Sequence, residues 1–105
     1  MNIPITLATF TADATGSGFS TQGGIYQIIC ENAAGTGDAN YGGGTITLQT
    51  SHEGGGWQDV YDGNGLKLEI SASADYASTI RINTMVQVRA VLAGSTSPDA
   101  LVKLV

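Results

Sequence analysis

No window of a dozen residues in this 105-residue chain repeats apolar positions at i, i+3, i+4 and i+7 without a glycine or a β-branched cluster cutting into it. A helix needs such a stripe to bury one face, so helices are excluded as the main building element. Thr, Val and Ile are plentiful instead, and Gly, Asn, Asp and Ser recur at short intervals. That is the pattern of short strands joined by turns. Glycine alone supplies 15 residues, about twice the usual ~7%.

The strands are readable from their alternation. Ile3 to Phe10 places Ile3, Ile5 and Leu7 on one face. Ile25 to Glu31 is apolar on both faces, with Tyr26, Ile28 and Cys30 on one side and Ile25 and Ile29 on the other. Thr45 to Ser51 turns Ile46 and Leu48 inward and Thr45, Thr47 and Gln49 outward. Trp57 to Tyr61 follows a turn at His52-Glu53-Gly54-Gly55-Gly56, and Leu66 to Ala72 sets Leu66, Leu68 and Ile70 against Lys67, Glu69 and Ser71. Ile80 to Ile82, Met85 to Ala93 and Ala100 to Val105 complete the set. About eight short strands at this spacing predict an all-β, two-sheet antiparallel sandwich with Ig-like or jelly-roll topology. Two long Gly/Ser/Thr-rich stretches, Ala12 to Gly24 and Asn32 to Gly44, read as loops that are mobile or ordered by a partner. No internal repeat and no linker divides the chain, so residues 1–105 are read as one domain.

Apolar residues make up 42% of the chain, enough for a packed core, while charged residues are only 12%, about half the usual ~25%. Four basic residues against nine acidic ones give a net charge of −5. Four scattered cations cannot form the patch that a nucleic-acid partner or an anionic membrane surface requires. The longest apolar runs, such as Ala90-Val91-Leu92-Ala93, fall far short of the ~20 residues of a spanning helix. The first ten residues lack the basic start and sustained apolar core of a secretory leader, and no leader is expected. With one cysteine, Cys30, the chain cannot form an internal disulfide. Synthesis and folding in a cytoplasm are expected.

Side chains able to do chemistry are few. His52, the only histidine, sits in a turn without the elbow or buried acid of a nucleophilic triad. Zinc would need three or four Cys, His or carboxylate ligands at ordered spacing, which the chain does not supply. Asp59, Asp62, Asn64 and Glu53 could converge at one end of a sandwich, and Asp62-Gly63-Asn64-Gly65 superficially resembles the start of a calcium loop. The acidic residue that closes such a loop is missing, and Asp-Gly and Asn-Gly are ordinary hairpin turns. Neither Gly42-Gly43-Gly44 nor Gly54-Gly55-Gly56 is followed by the lysine of a phosphate-binding loop. Cys30, on an apolar strand, reads as a small buried hydrophobe. No enzyme and no cofactor is expected from this set.

Two features invite a partner. Trp57, with Tyr26, Tyr41, Tyr61 and Tyr76, could form a platform for stacking on sugars; the plainer reading packs Trp57 over Val60 and Leu48 at one end of the core. Trp57 and Val60 have opposite strand parity, so a bulge displaces one of them or it lies at the rim. Trp57 and Tyr61 are thus candidate ligand or rim contacts. Ile25 and Ile29 are apolar on a face that should be wet, so either a loop or another subunit is expected to shield them.

Three segments carry a resemblance. Thr45-Ile46-Thr47-Leu48-Gln49-Thr50-Ser51 runs into Gly54-Gly55-Gly56-Trp57-Gln58-Asp59-Val60, and Gln87-Val88-Arg89-Ala90-Val91-Leu92-Ala93-Gly94-Ser95-Thr96 follows. This arrangement resembles small β-sandwich virion proteins of tailed bacteriophages, of the capsid decoration (cement) or head-fibre type. In that group a T-L-Q-x-S…G-G-x-W-x-D-V hairpin is often followed by a V-R-A-V-x-x-G strand and a short terminal strand. The likeness spans about Thr45 to Val105, and residues before Gly44 match no such pattern. It implies a homo-oligomer, with a trimer favoured, that clamps the major capsid protein at the virion surface by non-covalent, multivalent contacts after synthesis in the host cytoplasm. The alternative it implies is a tail or head-fibre module that binds host surface glycan through Trp57 and nearby tyrosines. It carries over no catalytic residues, no metal and no cofactor.

Overall fold

The computed structural model describes residues 5–52, 55–61, 65–71, 76–82 and 85–105, with 76–78 as backbone alone. Its ten strands are β1 (Ile5–Phe10), β2 (Ala14–Thr15), β3 (Phe19–Thr21), β4 (Gly24–Glu31), β5 (Thr45–Ser51), β6 (Gln58–Asp59), β7 (Glu69–Ile70), β8 (Tyr76–Ile82), β9 (Val86–Ala93) and β10 (Ala100–Leu104). One sheet has the order β1-β10-β4-β8; in the other, β9 and β5 are central, β2 and β3 share the outer edge of β9, and β6 and β7 share the outer edge of β5. Every pairing is antiparallel. The all-β, two-sheet expectation is borne out, and no helix occurs among the described residues.

The pairings are nested. β1 pairs with β10, β2 and β3 with β9, β4 with β8, and β5 with β6 and β7. The chain is thus one long antiparallel hairpin that closes on itself where β10 meets β4 and β9 meets β5. Because each edge shared by two segments counts once, ten strands occupy eight positions; β2 and β3 fill one that was read as a loop, and β6 and β7, read as two separate strands, share another.

Period-two alternation builds the core from both sheets. β9 turns Val86, Val88, Ala90 and Leu92 inward, β5 turns in Ile46 and Leu48, β10 turns in Ala100, Val102 and Leu104, and β4 turns in Tyr26, Ile28 and Cys30. Each buried Ile, Leu or Val contributes about 1.5–3 kcal/mol relative to exposure, so these four strands carry most of the stabilisation. In β1 the two inward residues, Leu7 and Phe10, stand three apart because the register with β10 slips between Thr6 and Ala8. Ile5 packs against the core from its margin, and Ile3 lies outside the described residues.

Two expected loops are structured. Within Ala12 to Gly24, β2 and β3 pair with β9 through Ala14↔Leu92 and Phe19↔Val88, registers that differ by one residue. The Gly16 amide donates to the Ala90 carbonyl at 2.8 Å, so the pairing runs on into the bulge before it slips. Within Asn32 to Gly44, Asn40 pairs with Asp99, the Thr96 amide donates to the Gly42 carbonyl at 2.9 Å, and the Ala33 amide donates to Asp99 Oδ1 at 3.0 Å. Tyr41, in the middle of this stretch, is fully buried in the core, with Ala39 beside it in sequence also buried. The loop is fastened to the β9–β10 turn and plugs that end of the molecule.

Candidate functional site

Alternation in β5, β6 and β9 does on the outer face what it does on the inner one. The register Gln49↔Arg89 and Gln49↔Asp59 sets three outward polar side chains in a row across three strands. Arg89 Nε donates to Gln49 Oε1 at 2.8 Å, and Gln49 Nε2 donates to Asp59 Oδ1 at 3.3 Å. Lys67 Nζ closes the row on Asp59 Oδ2 at 3.5 Å. At the other end of the row the Arg89 guanidinium lies over the Trp57 ring, 4.1 Å from its centroid, a cation–π contact. Gly18 lets the indole seat there, because a Cβ at that position would come within 2.8 Å of Trp57 Cη2.

This placement corrects the reading of Trp57 as a lid over Leu48. Leu48 points into the core, whereas Trp57 is half-buried on the opposite, outer side of the same sheet. Val60, of opposite parity, is the residue that packs against the core margin, and its amide donates to the Leu48 carbonyl at 3.0 Å. Gln49, Trp57, Asp59 and Arg89 lie in the separate segments 45–51, 54–60 and 87–96, and the fold brings all four into one connected row.

Beside Trp57 a groove of about 530 Å³ opens at the end of the sheet, walled by Ser20, Ser51, His52, Met85 and Gln87. Lining residues Ser51, His52 and Gly55 are linked: the Ser51 hydroxyl donates to the Gly55 carbonyl at 2.9 Å and the Gly55 amide donates to the His52 carbonyl at 2.8 Å. A smaller hollow of about 230 Å³ lies on the other side of His52, bounded by Thr50, Val60, Tyr61 and Arg81. Apolar groups concentrate at this end. Ile25 is 59% exposed, Tyr61 60% and Met85 65%, and all three lie at or beside strand ends that meet here.

The far end is closed by hydrogen bonds. Asp13 accepts from the Ser95 hydroxyl, from the Ser95 amide at 2.8 Å and from the Gly94 amide at 3.0 Å, which ties the β1–β2 turn to the β9–β10 turn. The Ser95 hydroxyl above all, and then the two amides, hold the Asp13 carboxyl below its ordinary value of 3.8. Asn32 caps its own loop, its Oδ1 accepting from the Thr36 amide at 2.8 Å.

The remaining sequence candidates scatter. Ile25 stands on the outer face of the four-stranded sheet with no loop over it among the described residues, while Ile29 is half-buried opposite Lys103, which pairs with Glu31 at 2.8 Å. Loop shielding of the whole stripe is therefore not found. Leu66, expected inward with Leu68 and Ile70, is 66% exposed; it lies before β7, next to the bridge that joins Lys67 to Tyr61. Tyr26 is buried, its hydroxyl donating to the Gln22 carbonyl at 2.7 Å, and Tyr41 is in the core, so neither joins Trp57 in a platform; the Tyr76 side chain lies outside the described residues. Cys30 is buried as expected. Of the cation candidates, Asp59 is committed to Gln49 and Lys67, and Glu53, Asp62 and Asn64 lie outside the described residues. The groove and the row of linked side chains were not legible in the sequence, since they depend on register. Comparison with protein families, with curated proteins and with solved structures finds no match to this chain.

Proposed function

We propose that the nested strand order is a jelly roll, not an Ig-like sandwich, and that the protein is a decoration protein of a tailed-phage capsid. In this reading it binds the major capsid protein at the virion surface by non-covalent, multivalent contacts, as a homotrimer. The observation that carries the reading is the row Trp57–Arg89–Gln49–Asp59: the residues of the three resembling segments meet in space, as parts of one structural unit should. The exposed Ile25, Tyr61 and Met85 at one end give that unit an apolar surface suited to a protein shell. Avidity from three copies would make weak single contacts sufficient.

The test is co-sedimentation with empty, expanded capsids of tailed phages, followed by calorimetry of the loaded shells. Saturable, stoichiometric retention and a higher shell melting temperature are expected. Protein left in the supernatant at saturating concentration refutes the reading. Light scattering checks the trimer: Ile25→Asp should lower the oligomeric state, and a monomer at micromolar concentration indifferent to that change removes the oligomer.

A further inference from the structure

We propose that the hollow between β8 and the facing sheet, lined at one side by Arg81, is a binding site for a short aliphatic carboxylate. The chain has four cations against nine acidic residues. Three of the four are committed within the fold: Lys67 to Asp59, Lys103 to Glu31, and Arg89 to Gln49 and Trp57. Arg81 alone has no ion-pair or side-chain hydrogen-bond partner among the described residues. Alternation along β8 buries Ile80 and Ile82 and leaves Arg81, between them, exposed. Because β8 is the outer strand of its sheet, Arg81 stands at an edge, where it lines the hollow together with Thr50 of β5 and Val86 of β9.

The lining has two chemistries. Ile80, Ile82 and Val86 belong to the core and Val60 packs against it, so one part of the wall is apolar. Arg81, His52 and Thr50 make the other part, with a guanidinium, an imidazole and a hydroxyl able to donate hydrogen bonds. No carboxylate occurs among the described lining residues, so an incoming anion meets no like charge there. A wholly apolar guest would make no use of these donors, and a fully hydrated inorganic anion would gain nothing from the apolar wall. A carboxylate on an alkyl chain suits both: the guanidinium pairs with its two oxygens, and the chain leaves water against the isoleucines and valines. At about 230 Å³ the hollow falls below the ~300–1,000 Å³ of drug-sized sites, which limits the ligand to roughly three to five carbons. Neither Arg81 nor His52 belongs to the side-chain row or to the exposed apolar set on which the capsid reading rests. Tyr61 alone borders both, and no contact with the ligand is assigned to it.

The experiment titrates the full chain, with no capsid present, with sodium acetate, propionate, butyrate and valerate at constant ionic strength, reading amide and methyl NMR shifts. Butyrate should shift Ile80, Ile82 and Val86 saturably. Affinity should rise about fourfold per added methylene from acetate to butyrate, the scale of one buried CH₂ group. Butyramide, which has the same shape without the charge, should bind about tenfold more weakly or worse, the scale of one lost charge-assisted hydrogen bond. Arg81→Gln, an exposed change, should weaken butyrate by a similar factor with the circular dichroism unaltered; the butyramide comparison stands as the test if that variant does not fold. No saturable shift with any of the four carboxylates overturns the proposal. So do equal affinities for acetate and butyrate, butyramide binding as well as butyrate, or a folded Arg81→Gln variant with undiminished affinity. Failure here leaves the capsid reading standing, and failure of capsid co-sedimentation leaves this site standing.

Discussion

Replacing Tyr41 by alanine should damage the fold far more than replacing Trp57, the reverse of what side-chain size alone would give. Tyr41 is fully buried where the Asn32–Gly44 stretch enters the core. Truncating a large, fully buried aromatic removes its transfer energy and leaves a cavity that the surrounding sheets fill only in part, about 3–5 kcal/mol in all. Trp57 is half-buried on the outer face of the sheet. Its loss removes a cation–π contact of about 0.5–1 kcal/mol and some packing on Arg89 and Gly18, together about 1–2 kcal/mol. At about 5 °C per kcal/mol for a domain of this size, Tyr41→Ala should melt ~15–25 °C lower and Trp57→Ala ~5–10 °C lower. Urea titrations followed by far-UV circular dichroism measure both variants with one probe, and equal slopes confirm a common unfolding reaction. A Trp57→Ala loss equal to or above that of Tyr41→Ala would refute the placement of both rings.

Two further outcomes probe the closed end. Hydrogen bonds from Ser95 and Gly94 keep the Asp13 carboxyl below its ordinary 3.8 in the folded protein, so their contribution is complete above that value and lost as pH falls through the lower, folded one. The stability gap between the native protein and Asp13→Ala should hold steady near neutrality and narrow below about pH 4; a gap independent of pH in acid titration would count against the contact. Gly42 and Gly43 both have positive φ, 59° and 78°, but a Cβ on Gly42 would collide with the Thr96 carbonyl whereas one on Gly43 meets open space. Gly43→Ala should therefore cost only the left-handed strain of about 1–2 kcal/mol, and Gly42→Ala clearly more. Equal urea midpoints for the two variants would show that the loop is not fastened to the β9–β10 turn.

The sequence was legible wherever one face of a strand is core and the other is not. Thr45 to Ser51 alternates cleanly and became a central strand with Ile46 and Leu48 inward as expected, and Met85 to Ala93, read as a strand, became the other central strand from Val86 onward. Legibility failed where pairing is carried by the backbone. Ala14–Thr15 and Phe19–Thr21 have too few apolar residues to show a period, and their place in the sheet rests on amide and carbonyl groups that any residue supplies. Tyr41 was missed for a related reason: a lone aromatic between an asparagine and a glycine run has no periodicity, yet the hydrogen bonds of Asn40 and Gly42 on either side deliver it to the core. Trp57 and Val60 posed a parity conflict that sequence could not settle. The β6 pairing resolved it, placing Val60 at the core and Trp57 outside. The outer row was out of reach because its spacing exists only across strands, through the register that joins Gln49 to Arg89.

The contrast between the two ends bears on how such a molecule would meet a partner. The glycine-rich stretches were expected to be the mobile parts that order against a shell. Asn32 to Gly44 instead spends its amides and carbonyls on its own chain: Ala33 on Asp99, Asn40 on Asp99, Gly42 on Thr96. A group already bonded within the fold gains little from a new partner, since binding would only exchange one hydrogen bond for another. Apolar surface is different, because it gains on removal from water whatever else surrounds it. That surface, Ile25, Tyr61 and Met85, lies at the opposite end. In the proposed shell complex the rigid, hydrogen-bonded end therefore faces solvent, and the open end carries the contact. The Asn32 to Gly44 loop contributes by being fixed: with Tyr41 locking it to the core, docking at the far end need not order it, and that entropy is not charged against affinity.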